Sequence, residues 1–128
     1  MHEYQIRVRW ADLDPYRHLN HALFLTYCES ARIDLLDQVG FSMARLTELG
    51  RQVVVVGVDA KYLKPGFEQR TLTIRTRHAG ATRATTLWRQ EIFDGEEKLF
   101  TADITFAFTD LSGRPTRRPE GFVEAVTA

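Results

Sequence analysis

The stretch that decides the fold is "ADLDPYRHLNHALFLTYCESAR", residues 11–32, in which a polar loop runs directly into an apolar segment. From Asn20 onward, apolar residues recur at steps of three or four, and Gly40 suits the position just after a helix. The part "ALFLTYC" is apolar all round, which is typical of a helix buried on most sides. The stretch therefore predicts one long central helix, capped by the side chain of Asn20.

The segments around this helix have the patterns of β-strands. Residues 3–10 alternate, which predicts a half-buried strand with Tyr4, Ile6, Val8 and Trp10 on its buried side. The valine run in "QVVVVGVDAKYL" predicts a strand that is covered on both faces. Two further strands are predicted in "RTLTIRTR" and "ATRATTLWRQEIF". Asp94-Gly95 predicts a tight hairpin turn into the alternating strand "KLFTADITFAFT".

Two short segments complete the predicted elements, and the order gives the fold class. "SMARLTEL" predicts a short helix with Ser42 as its N-cap, and "RPEGFVEAVTA" predicts a terminal turn of helix. The main order is β-α-β-β-β-β, with a single long helix and an antiparallel sheet. Because one buried helix needs a sheet curled around it, we expect a single two-layer α+β domain over residues 1–128.

Composition and charge narrow the possible functions. Lys plus Arg and Asp plus Glu both number 17, so the formal net charge is zero. This balance gives no reason to expect a nucleic-acid partner, and it tolerates self-association. No apolar run approaches the length of a membrane span, and "MHEYQIRVRW" does not resemble a signal peptide. Cys28 is the single cysteine, so neither an internal disulfide nor a multi-cysteine metal site is expected, and a cytoplasmic location fits.

The polar loop of residues 11–32 has three interpretations. In the structural one, Asp12 and Asp14 form the turn and Asn20 caps the helix. In the metal interpretation, Asp12, Asp14, His18 and His21 are the possible ligands, but their spacing does not match a calcium loop. In the third, Asp14 is a catalytic carboxylate beside the helix N-terminus, whose free N–H groups stabilise an oxyanion formed from an attacked carbonyl.

The same residues carry a family resemblance. The pattern "W-x-D-x-D-x₃-H-x-N-H-x₂-F-x₂-Y-x-E-x-A-R", together with "KYLKP" at residues 61–65, resembles the hotdog-fold acyl-CoA thioesterases of the 4-hydroxybenzoyl-CoA thioesterase type. The likeness extends over nearly the whole chain. It implies a sheet wrapped around a central helix and hydrolysis of acyl-CoA or aroyl-CoA to a carboxylate and CoA. It also implies no metal or prosthetic group, and a homodimer or homotetramer whose protomers share the active sites.

The resemblance also implies roles for single residues. Asp14 matches the catalytic aspartate, and His21 matches a histidine at the helix start, where aryl-specific enzymes use the backbone amide as oxyanion donor. His18 and Asn20 match the first positions of a His-x-Asn-Asn pattern in another subgroup. His21 stands where that pattern has its second asparagine, so the chain combines two signatures. Two alternatives stay open, namely a non-catalytic acyl-thioester-binding protein and a hydratase or dehydratase on the same fold.

Several other side chains have both a structural and a functional interpretation. Glu29 and Arg32 suit a structural ion pair better than a second catalytic acid. Cys28 is expected to be a small core residue, and Tyr27 either core or the wall of a substrate pocket. The remaining candidates are basic residues that either carry plain surface charge or bind the phosphates of CoA, and they are Lys61, Lys64, Arg77 and Arg83.

Overall fold

A computed structural model of the chain describes residues 1–127, and the predicted order of elements is confirmed. The elements are β1 His2–Arg7, a 3₁₀ turn Trp10–Asp12, α1 His21–Gln38, α2 Met43–Glu48, β2 Gln52–Tyr62, β3 Thr71–Ala81, β4 Thr85–Asp94, β5 Glu97–Thr109 and α3 Phe122–Thr127. Ala128, the last residue of the predicted terminal helix, lies outside the described residues.

The central helix α1 begins and ends where its local signals predict. The Asn20 side chain accepts a hydrogen bond from the backbone N–H of Ala22 at 3.0 Å. Gly40, just past the C-terminus, has a φ of 91°, a conformation that glycine adopts without strain. The expected burial on most sides is wrong for the first half, however. Ala22 and Thr26 are exposed, because the sheet of this chain covers only one face of the helix.

The sheet has the strand order β1-β3-β4-β5-β2, and every neighbouring pair is antiparallel. The predicted alternation of β5 is confirmed, since Phe100, Ala102, Ile104, Phe106 and Phe108 are all buried. The β4–β5 hairpin closes with Asp94 opposite Glu97, and φ of Gly95 is 61° in its two-residue loop. The core therefore lies between one face of this sheet and α1, which packs on β1 and β3.

Two burial predictions are wrong, one for the valine run and one for Trp10. The valine run does not lie in a strand covered on both faces, because β2 is the outermost strand and pairs only with β5. Val54, Val55, Val56 and Val58 are between 42% and 58% exposed. Trp10 is likewise 74% exposed, because β1 ends at Arg7 and the chain turns before the alternation reaches it. The first error comes from the position of β2 in the sheet, which depends on strands distant in sequence, and the second comes from a local turn.

The cap of α1 leads to a first prediction. Asn20→Ala removes the acceptor of the Ala22 N–H and should lower the free energy of unfolding by about 1 kcal/mol. Thermal denaturation should then show a midpoint lower by roughly 3 °C. Asn20→Ser is the matched control, because serine keeps a capping oxygen and should retain most of the stability. Equal midpoints for native protein and Asn20→Ala would contradict the role of this cap.

Candidate active site at the start of the central helix

The Asp12 carboxylate fixes the loop that precedes α1. Asp12 is 5% exposed, and its carboxylate accepts hydrogen bonds from the Tyr27 hydroxyl at 2.7 Å and from the Arg9 guanidinium at 3.0 Å. Burial opposes ionisation of this carboxyl, but the hydrogen bonds from Arg9 and Tyr27 outweigh it and lower the pKa of Asp12. The Asp12 carbonyl also accepts the Asn20 N–H at 2.9 Å. Asp12 therefore joins the chain before the loop to the helix after it.

Asp14 lies in a tight turn that its own side chain organises. Its Oδ1 accepts hydrogen bonds from the backbone N–H groups of Tyr16 at 2.9 Å and His18 at 3.0 Å. The backbone closes the same turn, since the Asp14 N–H donates to the His18 carbonyl at 2.7 Å. Among residues 1–127, no donor contacts the other carboxylate oxygen, Oδ2. Asp14 is half-buried, so this second oxygen belongs to a carboxylate that is held firmly yet remains reachable.

The first turn of α1 supplies the N–H group nearest to this loop. The Asn20 side chain occupies the Ala22 N–H, and the Asn20 carbonyl accepts the Leu23 N–H at 2.9 Å. Within the described residues, the His21 N–H has no hydrogen-bond acceptor. The His21 imidazole is exposed beside the Tyr62 ring, with the ring centroids 6.4 Å apart. The open N–H of His21, at the positive end of a helix of 18 residues, is a donor suited to an oxyanion.

Tyr62 at the end of β2 and the loop after it support the site, and neither Tyr62 nor Phe67 was identified as a site residue from the sequence. Tyr62 donates its hydroxyl to the His21 carbonyl at 2.9 Å, and Gly66 accepts the Leu19 N–H at 2.8 Å. The His18 imidazole packs edge-on against the Phe67 ring. The only sequence signal was "KYLKP", quoted for its family pattern. The contacts show that this segment holds the helix start and the Asp14 turn against the sheet.

Two of the remaining candidates lie in the core. Tyr27 is 4% exposed and donates to Asp12, so of its two interpretations the core position applies and its side chain offers substrate little accessible surface. Cys28 is fully buried, and burial raises the pKa of its thiol to about 12, which confirms a small core residue. The predicted Glu29–Arg32 ion pair is wrong, because Arg32 donates instead to the Gln90 side chain at 2.7 Å.

The four basic residues expected to bind phosphate do not form one cluster. Lys61 lies on β2 and Lys64 just after it, where Lys64 pairs with Glu97 at 3.3 Å. Arg77 is on β3, which β4 and β5 separate from β2, and Arg83 is in the β3–β4 turn at the other end of the sheet. The structure instead groups Arg83 with Arg117 and Arg118 around a cavity of about 440 Å³. That grouping depends on the C-terminal segment folding back, which local patterns do not reveal.

Residues 1–127 contain neither a cluster of metal-ligating side chains nor a helix that could span a membrane. Among residues 1–127, no three His, Cys, Asp or Glu side chains are placed to hold a metal ion together. Asp12 is occupied by Arg9 and Tyr27, so it is not free to act as the ligand considered in the metal interpretation. In the same part of the chain, no helix has both the length and the apolar character that crossing a membrane requires.

Comparison with known proteins identifies the family. Residues 8–126 match the Thioesterase-like superfamily, and the chain belongs to it. The chain is 32% identical to the long-chain acyl-CoA thioesterase FadM of Escherichia coli over 119 residues, covering 91% of this chain and 89% of that protein. It is 27% identical over 120 residues to the chloroplastic acyl-acyl carrier protein thioesterase ATL2 of Arabidopsis thaliana, covering 92% of this chain.

The structural comparison agrees with this membership. "Probable Thioesterase from Bartonella henselae" superposes with a TM-score of 0.89 and 31% identity, covering 92% of this chain and 98% of that one. The hotdog fold expected from the sequence is thereby confirmed. This chain spans 64% and 63% of the length of two chloroplastic relatives, which are longer proteins.

The lowered pKa of Asp12 leads to a second prediction. Because the folded pKa lies below the unfolded value of about 3.9, the ionised carboxylate stabilises the fold above roughly pH 4, and this contribution is lost as the pH falls through the folded pKa. Asp12→Asn should therefore lower the free energy of unfolding at pH 7 by about 2 kcal/mol. Urea denaturation at pH 7 and pH 3 should show that the difference between native protein and variant shrinks in acid.

Asp37→Asn is the control for this experiment. Asp37 is exposed on α1 and makes no side-chain hydrogen bond within residues 1–127. Its replacement should change the unfolding free energy by a few tenths of a kcal/mol at pH 7. A difference for Asp12→Asn that stayed constant from pH 7 to pH 3 would mean that its charge does not stabilise the fold.

Proposed function

We propose that this chain hydrolyses acyl or aroyl thioesters of CoA or of acyl-carrier protein, releasing a carboxylate and the free thiol. The observation that carries this proposal is the Asp14 carboxylate, with one oxygen held by two backbone N–H groups and the other open, in the loop that leads to the unoccupied N–H of His21 at the start of α1. Membership in the Thioesterase-like superfamily supports the same reaction class. The name of FadM, an acyl-CoA thioesterase, supports CoA as the carrier, and the name of ATL2, an acyl-acyl carrier protein thioesterase, supports acyl-carrier protein.

The helix start would bind the thioester carbonyl oxygen. As the carbonyl carbon is attacked, negative charge develops on that oxygen, and the His21 N–H can donate to it without reorganisation. The partial positive charge at the N-terminus of α1 acts in the same direction. This role requires the backbone of His21 rather than its imidazole. Asn20 then contributes by capping the helix, and His18 contributes a backbone N–H that holds Asp14.

Asp14 would drive the attack in one of two ways. As a nucleophile, its open oxygen attacks the carbonyl carbon, the thiolate leaves, and water then hydrolyses the mixed anhydride. As a general base, Asp14 removes a proton from the water that attacks the carbonyl, and the thiolate leaves in the same sequence. Both routes give one carboxylate and one thiol. Neither uses a metal ion or a prosthetic group.

The two rival functions are separated by the products. A hotdog hydratase or dehydratase leaves the thioester intact, and a non-catalytic binder retains the acyl thioester unchanged. Incubating the protein with a panel of acyl-CoA thioesters, while following free thiol and carboxylate, distinguishes all three. Binding of acyl-CoA without thiol release from any member of a broad panel would favour the binder and contradict the hydrolase.

We further propose that the protein acts as a homodimer paired through β2, either alone or within a tetramer. As an outermost strand, β2 has one row of unpaired backbone groups, which is a template for another strand. Four exposed valines on this strand give that pairing an apolar surface to bury. A two-fold axis would set β2 antiparallel to its copy, so that the start of one strand lies beside the end of the other, near Tyr62 and His21.

Lys61 and Lys64 would bind the phosphates of the carrier. Of the four basic residues expected to meet CoA phosphates, Lys61 and Lys64 lie at the end of the sheet that carries the Asp14 turn. Arg77 and Arg83 lie away from it, so in a dimer they would serve only a site on another protomer. The acyl-CoA or acyl-carrier substrate is the partner proposed here, in a cytoplasmic setting.

A third prediction tests Asp14. Asp14→Asn keeps an oxygen that accepts the Tyr16 and His18 N–H groups, so the turn should survive while the anionic oxygen is lost. We expect kcat to fall by roughly 10² to 10⁴ with KM nearly unchanged. Steady-state thiol release on the best thioester measures this. A rate within a factor of a few of the native enzyme would exclude both roles proposed for Asp14.

Two further variants separate the contribution of Asp14 to catalysis from the contributions of His21 and Asp12. His21→Ala keeps the backbone N–H, so it should retain much of the activity, whereas an imidazole that acts in catalysis would cost about 10²-fold or more. Asp12→Asn, assayed at a temperature where it is folded, should lose far less activity than Asp14→Asn. An equal loss for both aspartates would assign the effect to the loop as a whole.

A fourth prediction tests the β2 pairing. A double change, Val54→Lys with Val56→Lys, places two charges on the free edge and should raise the dimer dissociation constant at least roughly tenfold, the equivalent of 1.4 kcal/mol. Light scattering over a concentration series measures the change. Leu111→Lys is the control, since Leu111 is equally exposed but lies outside the sheet. A native protein that is monomeric at micromolar concentration would contradict the dimer.

A further inference from the structure

A groove runs along α1 between this helix and β2, and its first lining residue on α1, Leu25, is one helical turn after His21. Tyr62 contacts His21 at one end, and Val58 then faces Leu25 and Thr26. Farther along, Val55 and Val53 face the second half of the helix. Two adjoining cavities of about 220 and 170 Å³ lie in this groove, and both are lined by Glu29, Arg32 and Val55. Their other walls are largely apolar, so the groove suits an acyl chain that extends from the thioester.

Arg32 is the unusual residue in this groove. Its side chain is largely desolvated, and this burial lowers the pKa of Arg32 without removing its charge. Within residues 1–127 its guanidinium forms no ion pair, and its only hydrogen bond goes to Gln90. A guanidinium has five N–H donors, and no nitrogen of Arg32 is buried without a partner, so the donors that Gln90 does not use remain accessible beside the cavities that Arg32 lines. The chain itself therefore does not use most of the donors of Arg32.

The arginine is nevertheless held in a definite position. Gln90 is fully buried, and its amide nitrogen donates to the Thr76 hydroxyl and to the Cys28 carbonyl, both at 2.9 Å. These bonds orient the Gln90 oxygen toward Arg32 at 2.7 Å. A buried, fully hydrogen-bonded amide thus fixes a cation at the side of an apolar groove. This arrangement is preorganised to bind an oxygen acceptor.

We propose that Arg32 is a specificity-determining residue, which selects acyl groups that carry an oxygen acceptor, a carboxylate or a hydroxyl, in the part of the chain distant from the thioester. This inference rests on the proposed thioester hydrolysis. Position 32 is eleven residues after His21, or roughly 16 Å along the helix axis. Long side chains on a helix lean toward its N-terminus, so the guanidinium lies closer to the thioester than its Cα does.

Glu29 is the second charged residue that lines both cavities of the groove. It is exposed, and its carboxylate would repel an anionic chain. The two charged residues therefore act in opposite directions on a carboxylate-bearing chain. A hydroxyl-bearing chain has no charge for Glu29 to repel, and its hydroxyl can accept from Arg32 and donate to Glu29.

The experiment compares kcat/KM for CoA thioesters of equal chain length that end in methyl, hydroxyl or carboxylate, over several lengths. At the best length, the native protein should prefer an oxygen-bearing chain over the methyl chain. Arg32→Met should lower that preference about tenfold or more, while hydrolysis of the methyl-ended thioester is largely retained. Arg32→Lys keeps the charge without the planar fork and should give an intermediate preference. Glu29→Gln should raise kcat/KM for the carboxylate chain alone.

The outcomes separate this inference from the proposed function. If the native protein releases no thiol from any of these substrates, the hydrolase proposal itself fails. If it hydrolyses methyl-ended chains but Arg32→Met and Arg32→Lys leave the preference unchanged, the inference about Arg32 is overturned and the hydrolase stands. Arg32 variants that only weaken dimerisation, with the preference intact, would assign Arg32 to the subunit interface and likewise overturn it. Arg45→Met, at an exposed arginine on α2, is the control for removing a positive charge.

Discussion

A buried carboxylate is tolerated only where hydrogen bonds replace its water, and Asp12 meets this condition with donors from two sides of the loop. Arg9 approaches from the chain that leaves β1, and Tyr27 approaches from the second turn of α1. The Asn20 N–H adds a third tie, to the Asp12 carbonyl. The loop cannot move away from the helix without exposing an ionised group whose partners are lost. The positions of Asp14 and of the helix N-terminus both depend on this anchor.

Asp12 and Asp14 have identical side chains but different surroundings, and they therefore have different roles. Asp12 is surrounded by a guanidinium, a phenol and a backbone N–H, so its oxygens are fully occupied and its charge serves the fold. Asp14, two residues later, gives one oxygen to the turn that it organises and keeps the other unbonded within residues 1–127. An enzyme needs both properties in a reacting carboxylate, namely a fixed position and a free oxygen. Asp12 provides only the first of them.

Local patterns predicted most of the fold, since helix caps and strand alternation depend on residues close in sequence. Asn20, Ser42 and the alternation of β5 were identified in this way, and the structure confirms them. The valine run was misjudged because burial of a strand depends on which strands flank it, and β2 has one neighbour. The Glu29–Arg32 pair was misjudged because spacing suggests a contact but cannot reveal Gln90, which is distant in sequence and competes for the guanidinium. Tyr62 and Phe67 were missed for the same reason, since their contacts form only when the β2–β3 loop folds against the helix.

The open edge of β2 and the groove beside Arg32 have a common origin. The sheet has five strands, and α1 packs most extensively on β1 and β3, while Phe24 reaches Phe100 and Tyr62 on the β5–β2 side. Beyond that contact, β2 has a free strand edge, and beside it lies the groove that passes Arg32. A copy of the chain paired along β2 would lie beside both, and it would complete a wall of the groove. Assembly and the choice of acyl chain would then depend on the same strand. Residues of β2 that face the groove, such as Val55, should therefore influence both, whereas residues on its other face, such as Val54, should influence assembly alone.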